Sequence, residues 1–291
     1  MPASLPAPTS HSFISQRTRL HYLDWGNSDA PLLILQHGGR DHAHSWDWVA
    51  RDLCRDWHVI APDLRGHGDS AWSPDGAYVM PFFVYDFAQL IDQLGVDQVS
   101  IIAHSLGGNI ATRYTGMFPE KVRRLVNIEG LGAPPQILEE LAAQTPDERW
   151  RAWLTQRHGA ATRQPKRYQS IDDAFARMRT ENAHLSAEQA RHLTIHGIAR
   201  NEDGTWSWKF DNYVHSHLPM DIPQEELEHL WHRISCPVLL LHGAKSWASN
   251  PATDGRAAHF QNARVVSFAH SGHWPHHDEF DDFMREVRGF L

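Results

Sequence analysis

The stretch Ile101-Ile102-Ala103-His104-Ser105-Leu106-Gly107-Gly108 decides the reading of this chain. A β-branched apolar run stops at a small residue. A serine follows two positions on, a second small residue two positions later, and a helical pattern begins at once. This is the form of a nucleophile elbow, a sharp strand-to-helix turn that leaves the serine hydroxyl exposed in front of a helix N-terminus. The turn draws two backbones together, so the positions two residues either side of the serine must be small. Ala103 and Gly107 meet that demand, with Ala103 where glycine is more usual. A serine alone does little. It needs a base, a group that orients the base, and donors for a developing oxyanion.

Strands and helices alternate around the elbow. Residues 20–25 alternate apolar and polar, and residues 32–35 are continuously apolar, as in a strand buried on both faces. Residues 45–55 read as a helix and 59–61 as a strand stopped by Pro62. In residues 81–94 the apolar side chains Phe83, Phe87, Leu90, Ile91 and Leu94 recur at helical spacing, with Pro81 in the first turn and Gly95 as the stop. Residues 99–103, 106–118 and 122–128 give strand, helix and strand. Such alternation implies right-handed crossovers and an α/β, doubly wound, mostly parallel sheet of about eight strands.

From Gly130 the strand signal stops. Helices are expected over 136–143, 147–158, 170–182, 186–195 and 224–231, two of them opened by capping boxes at Ser170 and Ser186. The α/β texture then returns, with strands at 237–242 and 264–268 and helices at 253–260 and 275–291. The expected organisation is a core domain of residues 1–130 and 235–291, interrupted by a helical cap, or lid, of residues 131–234. A connection that long inside a compact domain points to function.

Partners for Ser105 are sought just past each strand, because in doubly wound sheets ligands bind at the carboxyl ends. After residues 32–35 comes Gln36-His37-Gly38-Gly39-Arg40, where glycines let the backbone approach a ligand; Gly39 and Leu106 are the candidate oxyanion donors. After the last strand comes Ser271-Gly272-His273-Trp274-Pro275, which makes His273 the candidate base. The acid is harder to place. The strand at 237–242 is followed by Gly243-Ala244-Lys245-Ser246 with no carboxylate, and Asp254 lies eight residues beyond Ser246. The strand at 122–128 runs directly into Glu129, which is therefore the leading candidate, with Asp254 as the alternative.

Bulk composition excludes several classes. The chain has 291 residues, 41% apolar and 21% charged, and no apolar run long enough for a membrane span. A net charge of −8 offers no basic face for nucleic acid. Residues 1–12 lack the basic and apolar regions of a signal peptide and read as a short disordered lead-in. Cys54 and Cys236 fit a reducing cytoplasm. Among 22 histidines, the clusters His42-x-His44 and His273…His276-His277-Asp278 come without cysteines or a His-Glu-x-x-His helix, so no metal is expected. The lid carries Trp150, Trp153, Tyr168, Trp206, Trp208, Phe210 and Tyr213 with His215 and His217, while Trp46 and Trp48 follow the glycine pair; some of these should wall a pocket.

With His37-Gly38-Gly39, Pro62-Asp63-Leu64-Arg65-Gly66-His67-Gly68-Asp69-Ser70, the elbow and Ser271-Gly272-His273, the chain resembles the α/β-hydrolase superfamily from Ser12 to Leu291. It is most similar to the branch holding lidded bacterial esterases, haloalkane dehalogenases, epoxide hydrolases and carbon–carbon hydrolases. The resemblance implies that the segment from Asp63 to Ser70 is structural and that the acid follows either of two strands. It also implies an aspartate nucleophile for dehalogenases and epoxide hydrolases, which Ser105 argues against. The expectation is a cofactor-free serine hydrolase of small to medium, partly apolar carboxylic esters, monomeric or homodimeric and cytoplasmic. A lactonase or carbon–carbon bond hydrolase with the same triad is the alternative, followed by an acyltransferase or perhydrolase and by a non-catalytic ligand receptor.

Overall fold

A computed structural model describes residues 7–215 and 221–291. The chain order is β1 (Thr9–Ser15), β2 (Thr18–Asp24), β3 (Leu32–Gln36), α1 (Asp47–Leu53), β4 (His58–Pro62), α2 (Met80–Leu94), β5 (Val99–His104), α3 (Leu106–Met117) and β6 (Val122–Ile128). Between β6 and the next strand of the main sheet come α4 (Pro135–Ala142), α5 (Pro146–Thr162), α6 (Ile171–Glu181), α7 (Ala187–Gly197), a hairpin of β7 (Ile198–Arg200) and β8 (Trp206–Trp208), and α8 (Gln224–Arg233). The chain closes with β9 (Val238–Gly243), β10 (Ala263–Phe268), α9 (Pro275–Asp278) and α10 (Phe280–Phe290).

Eight strands form one sheet in the order β1-β2-β4-β3-β5-β6-β9-β10. Only β1 and β2 run antiparallel to their neighbours; from β4 to β10 every pairing is parallel. Parallel strands covered on both faces must be apolar on both faces, and their side chains divide with period two. Ile34, Ile101 and Leu240 join the core under α2, α3 and α8, while Leu33, Leu35, Ile102, Leu239 and Leu241 join the core under α1 and α10. The strand order reverses at β3 and β5, which are adjacent although β4 lies between them in sequence. Ligand crevices form at such switch points. The glycine pair after β3 and Ser105 after β5 flank this one.

Four local expectations need correction. Residues 9–12 are not part of a loose lead-in; they open β1 and pair with β2 from Thr9↔Asp24 to Ser12↔His21. This polar edge strand buries Phe13 and Ser15 and little else, so its hydropathy is weak. The expected helix at 253–260 shrinks to a single 3₁₀ turn, Arg256–His259, because Gly255 sits at φ 90°. The expected closing helix breaks at Glu279 (φ −129°), whose carboxylate accepts from His270 N–H and Ser271 Oγ at 2.8 and 2.7 Å. Finally, the segment in which helices are expected to dominate also contains the β7–β8 hairpin, with Tyr168, Ala174 and Ile198 at its buried centre. Among the described residues no helix is long and apolar enough to cross a membrane.

Candidate active site

Ser105 stands between β5 and α3 at φ 51°, ψ −117°, a left-handed conformation unusual for a side-chain-bearing residue. Close contacts on both sides enforce the turn. A Cβ on Gly107 would lie 2.4 Å from the carbonyl oxygen of His37, so α3 can begin here only with glycine at that position. The strand before it is wholly buried and ends in Ala103 and His104.

His273 faces the serine from the loop after β10. Its Nε2 is 2.9 Å from Ser105 Oγ, and its Nδ1 is 2.5 Å from Glu129 Oε2. A carboxylate only accepts hydrogen bonds, so Nδ1 carries the proton and Nε2 is left to accept from the Ser105 hydroxyl. Hydroxyl, imidazole and carboxylate thus form one continuous chain of hydrogen bonds. The Glu129 side chain is almost entirely buried, whereas His273 keeps about a fifth of its surface open.

Glu129 is held by more than the imidazole. It follows β6 at φ 50°. Its Oε1 accepts from Gly243 N–H at 2.7 Å, and its Oε2 accepts from Ser246 Oγ at 2.5 Å. The serine found where a carboxylate is commoner therefore donates to the carboxylate that has moved one strand over. Asp254 is occupied elsewhere, paired with Arg256 at 2.7 Å and accepting from Ser249 Oγ at 2.5 Å.

The glycine pair abuts the elbow. A Cβ on Gly38 would sit 3.0 Å from Ser105 Cβ, and one on Gly39 would sit 4.0 Å from a methyl of Leu106. Leu106 opens α3, where backbone N–H groups have no acceptor within the helix. His37 fixes the loop: its Nε2 accepts from Leu64 N–H at 3.0 Å, so Nδ1 carries the proton it gives to Gly38 O at 2.6 Å. Burial, reinforced by the nearby His67, pushes His37 down to about 3, which keeps that tautomer neutral. Asp63 anchors the same region, accepting from His21 Nδ1, Ala43 N–H and Asp69 N–H at 2.7 to 2.9 Å. Burial works to raise its carboxyl, but the His21 hydrogen bond, the adjacent His37 and His21 imidazoles and the Asp69 N–H hold it well below the usual range.

Two contributors escaped the sequence reading. His104 donates from Nε2 to the backbone carbonyl of His273 at 2.8 Å and packs ring to ring against it at 4.7 Å. Burial, with the His273 ring beside it, drives His104 well below the ordinary histidine range. Its place immediately before Ser105 was the available signal. Trp247, widely exposed, lies 5.1 Å from the His273 ring at the mouth of the site. Of the aromatics between β6 and β9, Trp150 and Trp153 pack on each other and Tyr168 on Trp208, while Tyr213 lies under the Arg157 guanidinium. Trp46 is fully buried and Trp48 packs on His192 and His277. His217 lies outside the described residues.

The model of the alpha/beta hydrolase fold family matches residues 31–280. The chain belongs to that family. Among similar proteins, this hydrolase is 29% identical to esterase Rv0045c of Mycobacterium tuberculosis over 276 residues, covering 92% of this chain and 85% of the relative. It is 28% identical over 244 residues to the 3-hydroxybutyrate-oligomer hydrolase of Cupriavidus necator, covering 78% of this chain and 77% of that one. The crystal structure of the Mycobacterium tuberculosis esterase superposes with a TM-score of 0.72 at 26% identity, covering 98% of this hydrolase and 91% of that chain. A thioesterase domain from the curacin biosynthetic pathway reaches a TM-score of 0.83 at 21% identity over 97% of this hydrolase and 99% of the domain, a likeness of fold.

Proposed function

We propose that the chain is a serine hydrolase of carboxylic esters, acting through an acyl-enzyme. The unbroken chain Ser105 Oγ–His273–Glu129, with contacts of 2.9 and 2.5 Å, carries this reading. Ser105 Oγ attacks the acyl carbon as His273 Nε2 takes the hydroxyl proton. Glu129 keeps the imidazole in the Nδ1–H tautomer and stabilises the imidazolium that forms. The backbone N–H groups of Gly39 and Leu106 receive the negative oxygen of the tetrahedral intermediate; loss of one such donor typically costs about 10²–10³ in rate. His273 returns the proton to the departing alcohol, and water attacking by the same route releases the acid.

Two named relatives support ester cleavage: one is an esterase, and the other hydrolyses 3-hydroxybutyrate oligomers. A hydroxyl at the elbow, in place of a carboxylate, argues against epoxide opening through an alkyl ester, although mouse epoxide hydrolase 4 is also 25% identical. The helices between β6 and β9 act as a lid, and the substrate is small to medium and partly apolar. Purified Ser105→Ala, assayed on short p-nitrophenyl esters, is expected to lose turnover, and a fluorophosphonate should add once to the native chain and not to the variant. Undiminished hydrolysis by Ser105→Ala would overturn the mechanism.

A further inference from the structure

A second constellation of ligating side chains lies away from Ser105. His44 belongs to the 3₁₀ turn that precedes α1, and Asp47 opens α1 itself. His192 and His196 stand four residues apart on α7, so both imidazoles leave the same face of that helix. Asp47 Oδ2 is 3.0 Å from His192 Nε2 and 3.1 Å from His44 Nδ1. The rings of His44 and His196 stack at 3.7 Å, and those of His192 and His196 lie 4.6 Å apart. One ligand atom from each of the four residues falls within 4.8 Å of all the others. The aspartate is buried and the three histidines are half-buried, so the cluster is backed by protein and open to solvent on one side.

We propose that His44, Asp47, His192 and His196 form a binding site for a divalent transition-metal ion of the zinc type, which clamps α7 to the start of α1. The donor set carries the choice of ion. Three imidazole nitrogens and one carboxylate oxygen suit Zn²⁺ and its borderline-soft neighbours, whereas Mg²⁺ and Ca²⁺ require mostly oxygen ligands. Bonds of about 2.0–2.1 Å in a tetrahedron place ligand atoms about 3.4 Å apart. The two hydrogen-bonded contacts, at 3.0 and 3.1 Å, need open by only a few tenths of an ångström, and the remaining ones close by side-chain rotation. On binding, His44 and His192 each shift their proton to the other ring nitrogen, which frees the coordinating lone pair. The sequence spacing gave little sign of this site, because its halves lie 145 to 152 positions apart and only the fold joins them.

Such an ion would reinforce contacts that already hold α7 to the core. His42 Nε2 donates to Leu193 O at 3.0 Å, and Gln189 Nε2 donates to His277 O at 2.9 Å. The clamp therefore spans the segments that follow the Gly38-Gly39 loop and the His273 loop. The inference stands apart from the ester-hydrolase reading, since its readouts are binding, spectrum and stability.

The test uses the full chain stripped with EDTA and titrated with Zn²⁺ by calorimetry, with Mg²⁺ in parallel, and then loaded with Co²⁺. The expected result is one Zn²⁺ per chain, a rise in Tm with Zn²⁺ and none with Mg²⁺, and the intense visible absorption of tetrahedral Co²⁺. The double variant His192→Ala/His196→Ala should lose all three while keeping the metal-free Tm and circular dichroism of the native chain. If that variant fails to fold, His196→Gln gives the same reading with a smaller change. Zn²⁺ binding of equal stoichiometry and affinity in native and variant chains, or a Co²⁺ spectrum without tetrahedral intensity, would overturn the proposal.

Discussion

Ser246 hydrogen-bonds Glu129: its Oγ donates to Oε2 at 2.5 Å, the same oxygen that meets His273 Nδ1. The loop after β9, a common station for the acid of this fold, thus supports the carboxylate that follows β6, the proposed acid. This relationship makes the acid's location testable. Glu129→Gln should lower kcat by about 10⁴, as expected when a base loses its orienting carboxylate. Asp254→Asn should leave kcat within a few-fold. In the Glu129→Gln background, Ser246→Asp should recover part of the loss by restoring a carboxylate within reach of the imidazole. Ser246→Asp alone should slow the enzyme and move the acidic limb of its pH profile upward, because two carboxylates within hydrogen-bonding distance cannot both ionise freely. Steady-state kcat against pH across these variants decides the point, and an inert Glu129→Gln would remove the acid from β6.

Gly243 admits no side chain. A Cβ there would lie 1.9 Å from Gly272 O and 2.7 Å from Ser271 O, both backbone atoms of the loop that carries His273. Gly243→Ala should displace that loop and lower kcat by about 10²-fold, the scale of a misplacement near 1 Å. Gly289→Ala, where a Cβ meets nothing within 4 Å, serves as the control and should match the native rate. Equal kcat for the two variants would show that the loop yields without moving the imidazole.

Acid sensitivity should begin in the histidine range rather than the carboxylate range. Burial pushes His37 and His277 down to about 3 and His42 to about 4, and holds His104 and His276 well below the ordinary value. In the folded chain these groups stay neutral, while in the unfolded chain they take up protons near pH 6.5. Their stabilisation is therefore complete above that pH and is lost below it, at up to about 1.4 kcal/mol per pH unit for each group. Asp41 works the other way: burial raises it to about 7, so its contribution grows as pH falls from there towards about 4. The histidines outnumber it. Thermal unfolding should show Tm falling by about 10 °C or more between pH 7 and pH 5. A flat or rising Tm over that interval would contradict the assignment.

Asp86 is the hub of a buried polar contact under α2. Arg65 reaches it with two nitrogens at 2.6 and 2.7 Å, and Ser15 Oγ donates at 2.6 Å. Both charged side chains are more than nine-tenths buried. Asp86→Ala leaves the guanidinium unpaired in the interior and should cost about 3–5 kcal/mol, read from the urea midpoint. A loss under about 1 kcal/mol would mean that Arg65 finds water or another acceptor.

The parallel half of the sheet was legible because a strand buried on both faces announces itself as an unbroken apolar run, as at residues 32–35 and 238–241. The positions of Ser105, Glu129 and His273 followed from the rule that ligands gather at carboxyl ends. What escaped was either weakly patterned or non-local. Strand β1 is an edge in which Thr9, Ser10, His11, Ser12 and Ile14 are all exposed. The break at Glu279 depends on acceptors offered to His270 and Ser271, and no helical propensity records that. Ser246 looked like a missing acid; only the three-dimensional register of β6 beside β9 shows it hydrogen-bonded to the acid that is present. The cluster of His44, Asp47, His192 and His196 was likewise invisible until α7 met α1.

Glu129 is also the first residue past β6, where the chain departs for α4. Its backbone N–H still bonds to Leu241 O at 3.0 Å, while the next residue, Gly130, packs against the backbone of Gly108 on α3. The acid is thus bolted to the frame at the root of the segment between β6 and β9. The stretch from α4 to β8 could be redesigned, shortened or exchanged for another covering to change what the site admits. Glu129 and Gly130 could not go with it, since the chemistry is rooted on the near side of that seam.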